Sequence, residues 1–104
     1  MTEQIQALVL ECCRQHNELA EPDRQINVDL GADAPLYGSR GVLDSIALVS
    51  LIVAIEQSIE DATGVIITLA DARAASQENS PFRTVGSLVA YAEARIAEEN
   101  AANG

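Results

Sequence analysis

The constellation most able to do chemistry in this chain is a hydroxyl set at the mouth of a helix: Asp44-Ser45-Ile46 opens a nearly unbroken apolar run that reaches Ile55. The first N–H groups of a helix have no intrahelical partner, and the helix start favours negative charge. A phosphodiester on Ser45 would sit well there. As a catalytic nucleophile the same hydroxyl would need a base, since serine is weakly nucleophilic at its own pKa. The chain has one histidine, His16, near the end of the first helical stretch. No Gly-x-Ser-x-Gly elbow surrounds Ser45, and no acid can be assigned to orient the imidazole. These requirements disfavour a hydrolase. Taken alone, Asp44-Ser45 is also an ordinary helix cap, because Asp and Ser are among the commonest capping residues.

The residues after Ser45 decide what element carries it. A short apolar run is consistent with a buried strand or a helix, but this one continues without a turn signal to Gly64, too long for a typical strand. Leu48, Leu51, Ile52, Ile55 and Ile59 fall on one helical stripe, the expected core face. Ile46, Val49 and Val53 form a second stripe, which a domain of this size leaves partly exposed. With Glu56 they make the expected partner-docking face. Upstream, Ile5, Leu8, Val9 and Cys12 recur at helical spacing, so a first helix is expected from Glu3 to about Leu19, stopped at Glu21-Pro22. The long connection from Glu21 to Asp44 contains Val28, Leu30, Leu36, Tyr37 and Leu43, which favour a packed rather than disordered segment. After the bend at Gly64, Ile67 is expected to plug the core before a short helix from about Ala70 to Ala75. Thr84 is a good N-cap for a final helix to about Glu98, with Val85, Leu88, Val89, Ala92 and Ile96 as its stripe. The expectation is an all-α single domain: a four-helix bundle of three main helices and one short one, with a long first loop. Its ordered core spans about residues 3–98 and ends in a frayed tail. Tyr37 and Tyr91 read as packing residues and His16 as a partly exposed helix residue.

At 104 residues the chain holds one modest core. Sixteen acidic residues against six arginines, with no lysine, give a net charge of −10. That charge argues against nucleic acid or an anionic membrane as partner and for basic patches on proteins. No apolar stretch approaches the ~20 residues needed to span a bilayer, and the acidic, polar amino end has no secretory character, so a cytoplasmic protein without membrane insertion is expected. Cys12 and Cys13 are adjacent, too constrained for an ordinary disulfide with each other, and are expected as reduced thiols with Cys12 buried. No cysteine and histidine cluster suggests a metal.

Asp44-Ser45-Ile46 at the start of the second helix resembles the phosphopantetheine-binding acyl carrier protein family. Leu36-Tyr37-Gly38 looks like that family's loop before the motif, Gly64-Val65-Ile66-Ile67 like the segment after the second helix, and Thr84 to Tyr91 like the start of its last helix. The resemblance implies an acyl-carrier-type bundle in which Ser45 bears a 4′-phosphopantetheine arm, with Asp44 and Ile46 as flanking motif residues. It implies a monomeric carrier, not itself an enzyme, that serves partners. These are a phosphopantetheinyl transferase, an acyl- or aminoacyl-loading enzyme, and downstream transferases and synthases of fatty acid or polyketide type. The arm's thiol would hold the cargo as a thioester. Two features depart from the family pattern. Outward positions often acidic in fatty-acid carriers are Ala47 and Ser50, and the segment from Ala70 to Arg83 is longer than in the simplest carriers. An aminoacyl or peptidyl carrier for a peptide-synthetase or surface-polymer pathway, and an unmodified helical adaptor, are the alternatives.

Overall fold

The amphipathic stripes set out the architecture of the computed structural model, which describes residues 2–38, 41–69 and 81–103. Helix α1 (Thr2–Leu19) buries Ile5, Val9, Cys12 and Cys13. Helix α2 (Ser45–Thr63) buries Leu48, Leu51, Ile52, Ile55 and Ile59. Helix α3 (Val85–Asn103) buries Val85, Leu88, Val89, Ala92 and Ile96. Helix α1 packs against both α2 and α3. The three buried stripes, with Leu36, Ile67, Leu69 and Phe82, make one continuous apolar core. The described residues contain no β-strand, only an isolated antiparallel bridge between Pro35 and Thr84. The fold is all-α.

Each helix ends for a local reason. Gly64 closes α2 in the left-handed region at φ 77°, where its N–H reaches the Glu60 carbonyl at 2.8 Å. Thr84 starts α3 with a reciprocal cap: its Oγ1 accepts from the Ser87 N–H, and Ser87 Oγ accepts from the Thr84 N–H, both at 3.1 Å. The third helix runs to Asn103, past the Glu98 boundary drawn from its apolar stripe. Beyond Ile96 the residues are mostly Ala and Glu, whose intrinsic propensity continues a helix that has no more core to cover. The short helix expected from Ala70 to Ala75 lies outside the described residues.

The connection between α1 and α2 is packed, and it is built from two 3₁₀ turns, Pro22–Arg24 and Val28–Asp33. Asn17 on α1 fastens it, donating from Nδ2 to the Ile26 carbonyl at 2.8 Å and accepting the Ile26 N–H at 2.7 Å. Ile26 is thereby held in the core. Leu36 and Leu43 are buried, and Val28 and Tyr37 pack against the core. Leu30, expected among them, is instead 50% exposed. It lies in the Val28–Asp33 turn, which kinks at Gly31 (φ 59°) and buries none of its residues fully. Leu36 and Tyr37 then donate their N–H groups to the carbonyls of Arg83 and Phe82, at 2.8 and 3.1 Å. Leu43 N–H returns to the Leu36 carbonyl at 3.0 Å, aiming the chain at the start of α2. Gly41 makes this return possible: a Cβ there would stand 2.5 Å from Leu36 O and Tyr37 Cα.

Candidate functional site at the start of the second helix

The two residues of the Asp44-Ser45 pair have separate positions. Asp44 is the N-cap, with extended backbone (φ −85°, ψ 178°), and its Oδ1 accepts the Ala47 N–H at 2.8 Å. Ser45 is the first helical residue. Capping explains an aspartate at position 44. Arg24, from the first 3₁₀ turn, brings its Nη1 to 3.6 Å from Asp44 Oδ2, so a cation stands beside the helix start. Both side chains are largely exposed, and such a pair contributes at most about 1 kcal/mol.

The face of α2 that follows is apolar and open. Ile46 is 79% exposed, Val49 51% and Val53 42%. Glu56, expected on the same face, is only partly exposed. Its carboxylate accepts the Leu69 N–H, so it holds down the segment after α2 as well as carrying charge.

On the other side of α2, a groove runs between it and α1. A cleft of ≈ 410 Å³ lies beside the helix start, with His16, Leu19, Arg24, Asp44 and Ala47 among its walls. A second, smaller cleft of ≈ 230 Å³ is walled by Cys12, Gln15, His16 and Leu19 on α1 and by Ser50, Leu51 and Ala54 on α2. His16 and Leu19 line both clefts. Asp44, Ala47, Leu51 and Ala54 follow one another at helical spacing, a run of about 15 Å at 1.5 Å per residue. Ala47 and Ser50, the departures noted in the sequence, are small residues in the walls of this groove.

His16 is half-buried on α1, as expected of a partly exposed helix residue. Its Nε2 is buried and has no hydrogen-bond partner, the one such side-chain nitrogen or oxygen among the described residues. An unsatisfied buried polar atom costs about 1–3 kcal/mol, a penalty that a ligand group could relieve. Cys12, Gln15, His16 and Leu19 repeat at i, i+3, i+4 and i+7 and continue the stripe of Ile5, Leu8, Val9 and Cys12 two turns further along α1. Arg24 carries no comparable sequence signal, because only the tertiary path of the connection brings it to Asp44.

The thiols are inert by environment. Both cysteines are free and buried. Burial pushes the Cys13 thiol up to about 12, reinforced by the neighbouring Cys12. Cys12 is also raised by burial, partly offset by Ser58, whose Oγ lies 3.6 Å from its Sγ. Thiolate chemistry needs the opposite shift. Among the described residues no group of His, Cys, Asp and Glu is placed to hold a metal ion, and no helix is long and apolar enough to cross a membrane. No family model, curated protein or solved structure matches this chain.

Proposed function

We propose that the chain is a stand-alone carrier protein of the acyl carrier type, an all-α four-helix bundle modified at Ser45. Its 4′-phosphopantetheine arm would hold acyl intermediates as thioesters. The observation that carries the reading is the division of labour at the start of α2. Asp44 supplies the cap, and Ser45 occupies the first position of the helix that carries the exposed apolar face of Ile46, Val49 and Val53.

The residues present fit such a group. The unpaired N–H groups of the first turn of α2 and the Arg24 guanidinium would hold a phosphodiester, an anion at a helix start beside a cation. His16 lines the groove further along. In the modification, the Ser45 hydroxyl forms the new P–O bond as the diphosphate P–O bond of coenzyme A breaks. The nucleotide half leaves, and the hydroxyl proton passes to a base of the transferase. Once attached, the arm supplies a thiol for thioester formation, and the chemistry on the cargo belongs to partner enzymes. Ile46, Val49 and Val53 form the docking face, with Glu56 at its far end. The net charge of −10 steers the carrier toward basic surfaces. In this reading the carrier is a cytoplasmic monomer, and it acts as a substrate of its partners rather than as an enzyme.

The test is intact mass before and after incubation with coenzyme A, magnesium and a broad-specificity phosphopantetheinyl transferase. One phosphopantetheine unit is expected on the native chain and none on Ser45→Ala. Because Asp44 provides the cap, Ser45→Ala retains the fold, so its failure to load reports the missing hydroxyl. A folded native chain that gains no mass would favour an unmodified adaptor instead.

A further inference from the structure

We infer that the amide joining Thr68 to Leu69 is a clamped joint between α2 and α3, and that a cationic group of a protein docked on α2 opens it by drawing Glu56 away from Leu69. The inference rests on the docking part of the reading above and is independent of modification at Ser45. It stands on two observations: oppositely charged side chains from two helices hold the two ends of one amide, and one of them is partly exposed on α2.

The Leu69 N–H and the Thr68 carbonyl are the two poles of a single amide. Glu56 on α2 accepts the N–H, and Arg95 on α3 donates from Nε to the carbonyl at 3.3 Å. Each charge faces the pole it attracts, and bonds with an ionised partner are stronger than neutral ones. Arg95 also bonds Glu98, one turn along α3, which steadies the guanidinium. Thr68 is exposed and the Leu69 side chain is buried, so the amide sits at the edge of the core, within reach of a surface event. Glu56 follows Val49 and Val53 at i+7 and i+3, the spacing of one helix face, and both valines are exposed. A partner seated on Ile46, Val49 and Val53 with cations at its rim therefore meets this carboxylate, and the net charge of −10 favours such a partner. An arginine of that partner can occupy both carboxylate oxygens and outcompete an amide N–H. The Leu69 N–H then loses its acceptor while Ile67 and Leu69 stay buried, so the joint opens locally and the core remains. Coupling of this kind is reciprocal: whatever loosens the joint from the α3 side strengthens docking on α2.

The test uses isotopically labelled full-length chain and, as probe, an amphipathic helical peptide with leucines along one face and arginines at its edges. NMR reads where the peptide binds and how fast the Leu69 amide exchanges with water. The expected result is shifts at Ile46, Val49 and Val53 together with exchange at Leu69 faster by about tenfold, the loss of one charge-assisted bond. The same peptide with glutamine in place of arginine should, at equal occupancy, leave Leu69 protected. Glu56→Gln keeps a carbonyl acceptor for the Leu69 N–H but offers no charge, so its Leu69 should be as protected with the arginine peptide bound as without it. Arg95→Met loosens the joint and should lower the Kd of the arginine peptide several-fold. Arg14→Met removes the same charge from the Glu11 pair on α1 and should change that Kd less, which separates the joint from a general gain in negative charge. Binding at the three α2 positions with Leu69 exchange unchanged would overturn the joint and leave the docking face standing. Binding that bypasses those positions would overturn both. Loading at Ser45 is read separately by intact mass, and its failure bears on the carrier reading alone.

Discussion

At the start of α2, Asp44 is the N-cap whose side chain satisfies a helix N–H, and Ser45 is the first helical residue. The dipeptide was visible in the sequence, but the division of labour was not, because either residue type can cap and only the backbone path selects which one does. The cysteines show the reverse. Their adjacency already excluded an ordinary disulfide, and their burial makes the absence of reactivity quantitative. Cys13, with its thiol held near 12 against an ordinary 9.0, keeps its proton in the folded chain after the unfolded chain has lost it. The folded state therefore binds more protons above pH 9, and stability falls as pH rises through that window, with a limiting slope of about 1.4 kcal/mol per pH unit for each such thiol. Urea unfolding midpoints measured from about pH 8 to about pH 11 should decline, and Cys13→Ala should flatten the decline while lowering stability at neutral pH. Equal slopes in the two proteins would show that the thiol is not buried as described.

At the scale of elements, the stripes of α2 were legible because helical spacing separates two apolar faces cleanly. Leu48, Leu51, Ile52, Ile55 and Ile59 are buried, while Ile46, Val49 and Val53 are exposed. The connection from Glu21 to Asp44 was legible only as packed. Its shape depends on tertiary hydrogen bonds that no local pattern announces, above all the two that Asn17 makes to Ile26. Leu30 illustrates the limit, since an apolar residue on a kinked 3₁₀ turn can face outward as readily as inward. Asn17→Asp tests how much this clamp contributes. The carboxylate keeps an acceptor for the Ile26 N–H but faces the Ile26 carbonyl without a proton to donate, so a loss of about 1–3 kcal/mol is expected. In a domain of this length that corresponds to a fall in Tm of at least about 4 °C. A change within about 0.5 kcal/mol would mean that the burial of Ile26, not the clamp, holds the connection.

For the whole molecule the governing quantity is the charge of −10, legible from composition alone. Its consequences depend on placement. Arg14 pairs with Glu11 and Arg24 with Asp44 across largely exposed positions, where each pair contributes at most about 1 kcal/mol. Arg95 is more engaged, bonding both Glu98 and the Thr68 carbonyl and so tying α3 to the segment after α2. Few cations are available to offset many carboxylates, so mutual repulsion should outweigh the surface pairs. Salt shortens the reach of that repulsion to about 10 Å at 0.1 M, so Tm should rise as sodium chloride is added from about 10 mM to about 500 mM. If the chain is the carrier proposed above, its association with a basic partner surface has the opposite dependence, because the same screening removes the steering. Measured together, Tm should rise with salt while the rate of loading by the transferase, at subsaturating carrier, falls. A Tm that falls with salt would mean that the ion pairs dominate the surface. A loading rate indifferent to salt would place recognition in the apolar face of Ile46, Val49 and Val53 rather than in the acidic field around it.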